Sequence, residues 1–368
     1  MQKTNQIFKN SLKNTTSPLN SSPVNHQRQN RAFFYFNVFS VSSDRWHLLD
    51  QIRKDYLRKT IYSVPTELLQ TKFPEGVTFI PQPLANGKIG VEIWGCDLKF
   101  NIISKHVVVC DSCFGKWAFI CGIRAPEGIR FQDQVRYVLE KMEILLKDAG
   151  FEFQDLVRTW FYIGDILRKE GDTVRYDLLN KVRNEFYAKV WDKDKQYPAS
   201  TGIGMQEKGI IMEGIALKPS HKTNVIRLEN PLQKSSFNYR IPEERRPKFC
   251  RAIVIENNNK GIIFISGTAS IRGEDVCYAG DVEMQTLTTI ENIEALIKEY
   301  NLKRYGINWD LLLKNTAFIK VYIKEKKYYP IVRNICQQHF GNIPQLYLLA
   351  DICRPELMVE IEAVVIKT

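Results

Sequence analysis

The chain has 368 residues, 44% of them apolar and 25% charged, and a formal net charge of +11. It is too long for one small core and suits two domains or two halves of a larger body. It holds no apolar run of roughly eighteen residues, so no membrane-crossing helix is expected. Its cationic residues are spread along the sequence apart from "EERRPK" (243–248) and "KEKK" (324–327). A basic solvated surface accounts for that charge most simply. A small anionic substrate comes next, ahead of nucleic acid, for which no motif accompanies the charge.

In chain order, residues 1–30 are rich in Asn, Ser, Thr and Gln and lack the apolar region of a secretory signal. They read as a disordered tail. "FFYFNVFSV" (33–41) and "GKIGVEIWG" (87–95) read as strands. "SDRWHLLDQIRKDYLRKTI" (43–61) reads as a helix, with Ser43 or Asp44 as its N-cap. These elements are expected to extend a first half.

From about residue 104 the sequence runs through one pattern twice, to 218 and again from 247 to 366. "WAFICGI" (117–123) answers "IIFISGT" (262–268), each an apolar strand that reaches a glycine. Amphipathic helices follow, with Gln134 over Gln285 and Val138, Met142 and Leu145 matched by Thr289, Ile293 and Leu296. A strand, a second helix and two closing strands complete each copy, and Tyr162 falls over Tyr322. Such alternation predicts an α+β fold, a two-layer arrangement of two tandem modules, each a mixed sheet with helices on one face. The expected divisions are 1–30, 31–230 and 231–368.

Eight cysteines lie mostly in apolar, strand-like runs. "CDSC" (110–113) has no second pair or His pair at zinc-finger spacing, so no metal is expected and the thiols read as small core residues of a reducing cytoplasm.

The closing strand, "VEIEAVV" (359–365), carries Glu360 and Glu362 on one face. The internal repeat separates them. Glu362 lies over Glu213 of the first copy, whereas Glu360 lies over Ile211. A position apolar in one copy and acidic in the other has lost its packing role, and faces either solvent or a site. Arg251 stands in the otherwise apolar "FCRAIVI" and is a candidate carboxylate ligand, because a guanidinium fork matches a carboxylate. Arg158, Arg272 and Arg354 are further candidates. Gly267, Thr268 and Ala269 follow the strand that would line a cleft and permit close approach of a substrate. Tyr162 and Tyr322, kept in both copies, read first as core, with a phenol in the cleft as the second possibility.

The repeat unit, carried by "FISGT", "MQTLTTIENIEALI" and "VEIEAVV", resembles the YjgF/RidA-type fold. With "YPASTGIG" (197–204), "FCRA" (249–252), "ISGTASI" (265–271) and "ADICRPELMVEIEA" (350–363), residues 35–368 resemble the chorismatase family, including its 3-hydroxybenzoate synthases. The resemblance implies an enzyme that removes the enolpyruvyl arm of chorismate as pyruvate without a cofactor, with Glu360 as acid/base. The two carboxylates of such a substrate call for cationic partners, for which Arg251 leads and Arg158 follows, and Gly267, Thr268, Ala269, Cys353 and Tyr162 complete the candidate substrate contacts. Cys353 before "R-x-E-L" and Ala269 in "SGTAS" are similar to the branch that forms 3-hydroxybenzoate rather than a dihydroxycyclohexadiene acid. RidA-type sites imply trimers, and two modules plus an N-terminal extension leave either a monomer or a trimer-like assembly. Imine deamination and non-catalytic ligand binding are the alternatives on this fold. Neither copy has the deaminase arginine at the start of its penultimate strand, and a passive binder of anions gains nothing from a lone carboxylate.

Overall fold

The structure, a computed structural model, describes residues 34–41, 56–62, 76–96, 98–191 and 196–368. The sequence-predicted tail of 1–30 lies outside them.

The first sheet has strand order β3-β2-β4-β1 and is built from β1 (Phe34–Val41), β2 (Arg58–Tyr62), β3 (Val77–Ile80) and β4 (Ile89–Cys96). Both N-terminal strands expected from the sequence are thus present, but they form a sheet of their own rather than an edge of the next. The helix expected over 43–61 is corrected at its end. "RKTIY" pairs in parallel with β3 and antiparallel with β4, and all five residues are buried. Its β-branched and aromatic side chains suit a strand flanked on both edges. Residues 43–55 of that expected helix lie outside the described residues.

The second sheet, ordered β11-β8-β12-β7-β6-β5, comprises β5 (Phe100–Ser104), β6 (Val107–Ser112), β7 (Gly115–Arg124), β8 (Leu156–Gly164), β11 (Ala199–Met205) and β12 (Ile210–Pro219). A small hairpin, β9 (Lys169–Glu170) with β10 (Thr173–Val174), leads into the second helix. Helices α1 (Phe131–Asp148) and α2 (Arg175–Val190) follow β7 and β8. In α1 the residues Val135, Val138, Leu139, Met142 and Leu146 are buried against alternate residues of the sheet, among them Val107, Ala118 and Ile120. Each such side chain is worth about 1.5–3 kcal/mol relative to exposure.

The third sheet runs β19-β18-β20-β15-β14-β13, from β13 (Thr223–Leu228), β14 (Ala252–Asn257), β15 (Lys260–Ala269), β18 (Thr316–Ile323), β19 (Gln345–Leu349) and β20 (Val359–Lys367). The hairpin of β16 (Ile271–Arg272) and β17 (Asp275–Val276) precedes α3 (Val282–Ile297) and the short α4 (Glu299–Lys303). The last helix, α5 (Tyr329–Phe340), lies between β18 and β19. Asp281 caps α3 by accepting from Met284 N at 3.0 Å. β13 lies before residue 230, yet it pairs with β14 of the third sheet.

Registers coincide across the sheets. Tyr62 pairs with Gly90, Tyr162 with Ile211 and Tyr322 with Glu360. Two residues on, Thr60 pairs with Glu92, Trp160 with Glu213 and Lys320 with Glu362. A bulge at Cys121–Gly122 in β7 recurs at Ser266–Gly267 in β15. The faces turned away from the helices meet in a shared core that includes Phe34, Trp94, Trp117, Phe119, Trp160 and Phe264.

Candidate active site

At the centre of that core lies a buried ionic network. Glu92 accepts from Arg58 Nη1 at 2.5 Å, Trp94 Nε1 at 2.6 Å, Tyr62 OH at 2.7 Å and Lys320 Nζ at 2.9 Å. Glu213 accepts from Arg58 Nη2 at 2.5 Å. Glu362 accepts from Thr201 Oγ1 at 2.6 Å, Trp160 Nε1 at 2.8 Å, Arg158 Nη2 at 2.9 Å and Lys320 Nζ at 3.1 Å. Arg58, Arg158 and Lys320 thus balance Glu92, Glu213 and Glu362. Burial opposes the ionisation of Glu362, but Lys320 and Arg158 outweigh it and hold the carboxyl below its ordinary range. Glu92 is held at about 2 against the same burial penalty, by Arg58 and Lys320.

Glu360 has no place in this balance. It is 4% exposed, and among the described residues its carboxyl makes no hydrogen bond or ion pair. Burial first, and the charge of Glu362 second, push its pKa up to about 8, against the weaker opposing pull of Arg158 and Arg251. Its side chain rests on Gly267, where a Cβ would stand 2.0 Å from Oε1. Only glycine permits that approach.

Glu360 opens onto a cavity of about 650 Å³ between the second and third sheets. The walls come from β11, α2, β15, the turn before β20 and the segment 239–249 between the sheets. Two buried guanidiniums reach it. Arg251 Nη2 donates to Tyr239 OH and Lys234 O, both at 2.8 Å, and its Nε has no partner. Arg183 Nη2 donates to Asn180 Oδ1 at 2.7 Å, and its Nε is likewise unpartnered. Neither makes an ion pair with a carboxylate among the described residues, so each brings an unmatched positive charge to the cavity wall.

Of the residues singled out in the sequence, Glu360, Arg251, Gly267, Ala269 and Cys353 line this cavity. Arg251 sits just before β14 rather than within it. Thr268 is 2% exposed and turns its hydroxyl to Ser266 O at 2.9 Å, away from the cavity. Arg158 is tied to Glu362, and Tyr162 is fully buried with its hydroxyl 3.4 Å from Glu213. Both belong to the central network. Arg272 pairs with Glu291 and Asn292. Arg354 lines the cavity from a turn, its Nη1 donating to Glu274 O at 2.7 Å. Burial raises the Cys353 thiol to about 12, so it is held neutral. Among the described residues no group of three His, Cys, Asp or Glu is placed to hold a metal. Cys110 of "CDSC" is buried and Cys113 exposed.

Sequence reasoning missed Arg183, Tyr176, Asn180 and the 239–249 segment. "EERRPK" was visible as a charge cluster, but nothing in it marks a cavity wall. Asn184 Nδ2 holds that segment to α2 by donating to the carbonyls of Glu243, Glu244 and Arg246 at 2.8–3.2 Å.

A family model described as "Chorismatase FkbO/Hyg5-like, N-terminal" matches residues 92–216. The chain is 34% identical over 257 residues to a 3-hydroxybenzoate synthase of Streptomyces hygroscopicus, covering 67% of this chain and 73% of that one. The chain belongs to the chorismatase family. It is also 31% identical to a chorismatase of Streptomyces rapamycinicus, over 66% of this chain and 72% of the other. A crystal structure of a chorismatase superposes with a TM-score of 0.73 over 91% of this chain and all of that one, at 22% identity, which shows the shared fold. Membership carries with it the YjgF/RidA-related fold and the family's general activity, lyase or hydrolase chemistry on chorismate-like substrates.

Proposed function

We propose that the protein cleaves the enolpyruvyl arm of chorismate, with Glu360 as general acid/base and 3-hydroxybenzoate as the ring product. The observation that carries this reading is a carboxyl with a pKa of about 8, unpartnered, in a cavity with two buried arginines that no carboxylate neutralises. Enol-ether cleavage needs a proton on the terminal methylene carbon, and that produces an oxocarbenium centre. A carboxylic acid kept protonated near neutral pH can deliver it, and the carboxylate left behind stabilises the cation and can take a proton back. Arg251 and Arg183 suit the two substrate carboxylates. No step in this scheme calls for a metal or organic cofactor.

Chorismate equals pyruvate plus 3-hydroxybenzoate atom for atom, whereas the dihydroxycyclohexadiene acid takes up one water. Cys353 and Ala269 line the cavity beside Glu360. We assign to them the exclusion of water from the ring, which leaves the ring's own hydroxyl as the nucleophile. The three sheets, with their matching registers, are read as modules of one ring closed within a single chain, which makes the proposed active unit a monomer; the proposed location, the cytoplasm, rests on reading the cysteines as reduced thiols.

Mass analysis after incubation with chorismate tests this directly. The expected products are pyruvate and 3-hydroxybenzoate in equal amounts, and Glu360→Gln should lower turnover by about 10²–10⁴-fold. Intact chorismate after long exposure to folded wild-type protein would overturn the reading, and a hydrated ring acid would overturn the assignment of product.

A further inference from the structure

The second and third sheets are joined along β11 and β15 by a short seam. Cys250 N donates to Pro198 O at 3.2 Å, Ser200 N to Ser266 Oγ at 2.9 Å and Gly267 N to Thr201 Oγ1 at 3.1 Å. Thr201 is 1% exposed, and it lies between Ser200 and Gly202, which do line the cavity. A hydroxyl has one proton and two lone pairs. Thr201 uses all three, donating to Glu362 at 2.6 Å and accepting from Arg158 Nη2 at 2.6 Å and from Gly267 N. The backbone it holds is the one beneath Glu360: the Cβ position of Gly267 is 3.2 Å from Thr201 Cγ2 and 2.0 Å from Glu360 Oε1.

We propose that Thr201 is a positioning residue for Glu360, because its hydroxyl occupies the Gly267 N–H and fixes Glu362, so that neither rearranges around the reactive carboxyl. The inference rests on reading Glu360 as the acid. The charged and titratable groups around Glu360 are Glu362 on its own strand, Tyr322 opposite it on β18, Arg158 from β8, Arg251 ahead of β14, Cys353 and Arg354 from the preceding turn, and Tyr176 and Arg183 from α2. Cys353 and Tyr176 are neutral, since burial raises both. Without the Thr201 hydroxyl, the Gly267 N–H loses its acceptor, and the Glu360 carboxyl rests on that same glycine. Donation from that N–H to the Glu360 carboxylate would stabilise the ionised form. Glu360 then loses its proton at lower pH.

The test is a carbon-13 NMR titration of the Glu360 side-chain carboxyl in the full-length, substrate-free protein, with the resonance assigned by its loss in Glu360→Gln. Thr201→Val should lower the midpoint by about one pH unit or more, and Thr201→Ser should keep it within a few tenths of wild type. An unmoved midpoint in folded Thr201→Val, or the same fall in Thr201→Ser, would overturn the proposal. If the valine variant does not fold, Thr201→Ala is read in its place. The titration needs no substrate. Failure of the wild type on chorismate would therefore remove the proposed function alone, and an unmoved midpoint would remove only the role of Thr201.

Discussion

The cavity at Glu360 and the corresponding place at Ile211 share one framework. Each lies opposite a tyrosine, Tyr322 or Tyr162, and beside a bulge glycine, Gly267 or Gly122. Each faces a threonine from the neighbouring sheet, Thr201 or Thr78. In the second place an apolar side chain fills the register: Ile211 is 1% exposed and packs into the shared core. At the third such position Gly90 is closed over by Leu84, whose Cδ1 is 2.4 Å from where a Cβ would sit. Cavity and acid thus occur together at one of three equivalent registers. The difference teaches that an unpaired carboxyl is tolerated where a cavity receives it, and that apolar packing fills the register elsewhere.

The most disruptive way to break this comparison is to transplant the acid. Ile211→Glu puts a carboxyl where nothing receives it and should destabilise the protein by about 3–5 kcal/mol near pH 8. Denaturant unfolding measures this, and a neutral outcome would mean that the Ile211 register is as accommodating as the Glu360 one. The reverse exchange sharpens the contrast. Glu360 holds its proton to about pH 8 when folded and releases it near 4.5 when unfolded. Folding therefore takes up a proton between those values, and stability contributed by the protonated group falls as pH rises through that window. Glu360→Gln has no such loss. It should match wild type near pH 4.5 and exceed it by roughly 4 kcal/mol at pH 8.5, and a pH-independent difference would sink the argument. The smallest effect concerns the wall of the cavity. Arg251→Lys keeps the charge but loses the fork, and should raise KM for chorismate about tenfold with kcat little changed. An unaltered KM would remove Arg251 from the substrate contacts.

The internal repeat of the sequence by itself separates Glu362 from Glu360. Gly267 and Cys353 were legible for the same reason, since they sit in the motifs that flank the acid. Arg158 was placed among the substrate contacts because a one-dimensional pattern locates a strand face but not which neighbouring sheet covers it, and its partner Glu362 lies 204 residues away. Tyr162, read first as core and second as a cleft phenol, is fully buried beside Glu213. Arg183 was hidden for the opposite reason: on α2 it reads as an ordinary helical cation, and only the packing of α2 against the cavity gives it a role. "RKTIY" at 58–62 was absorbed into a helical periodicity that continues from the residues before it, and its pairing with β3 and β4 decided otherwise.

The central ionic network has a consequence for how the molecule comes apart. Lys320 from the third sheet reaches Glu92 on the first, Arg58 from the first reaches Glu213 on the second, and Arg158 from the second reaches Glu362 on the third. Arg58 also pairs with Glu92 within the first sheet and Lys320 with Glu362 within the third, whereas Glu213 pairs with no cation but Arg58 among the described residues. Removing the first sheet would therefore leave Glu213 buried without a countercharge, at a cost of several kcal/mol. The sheets are therefore not independent units of stability, although the chain reads as successive copies.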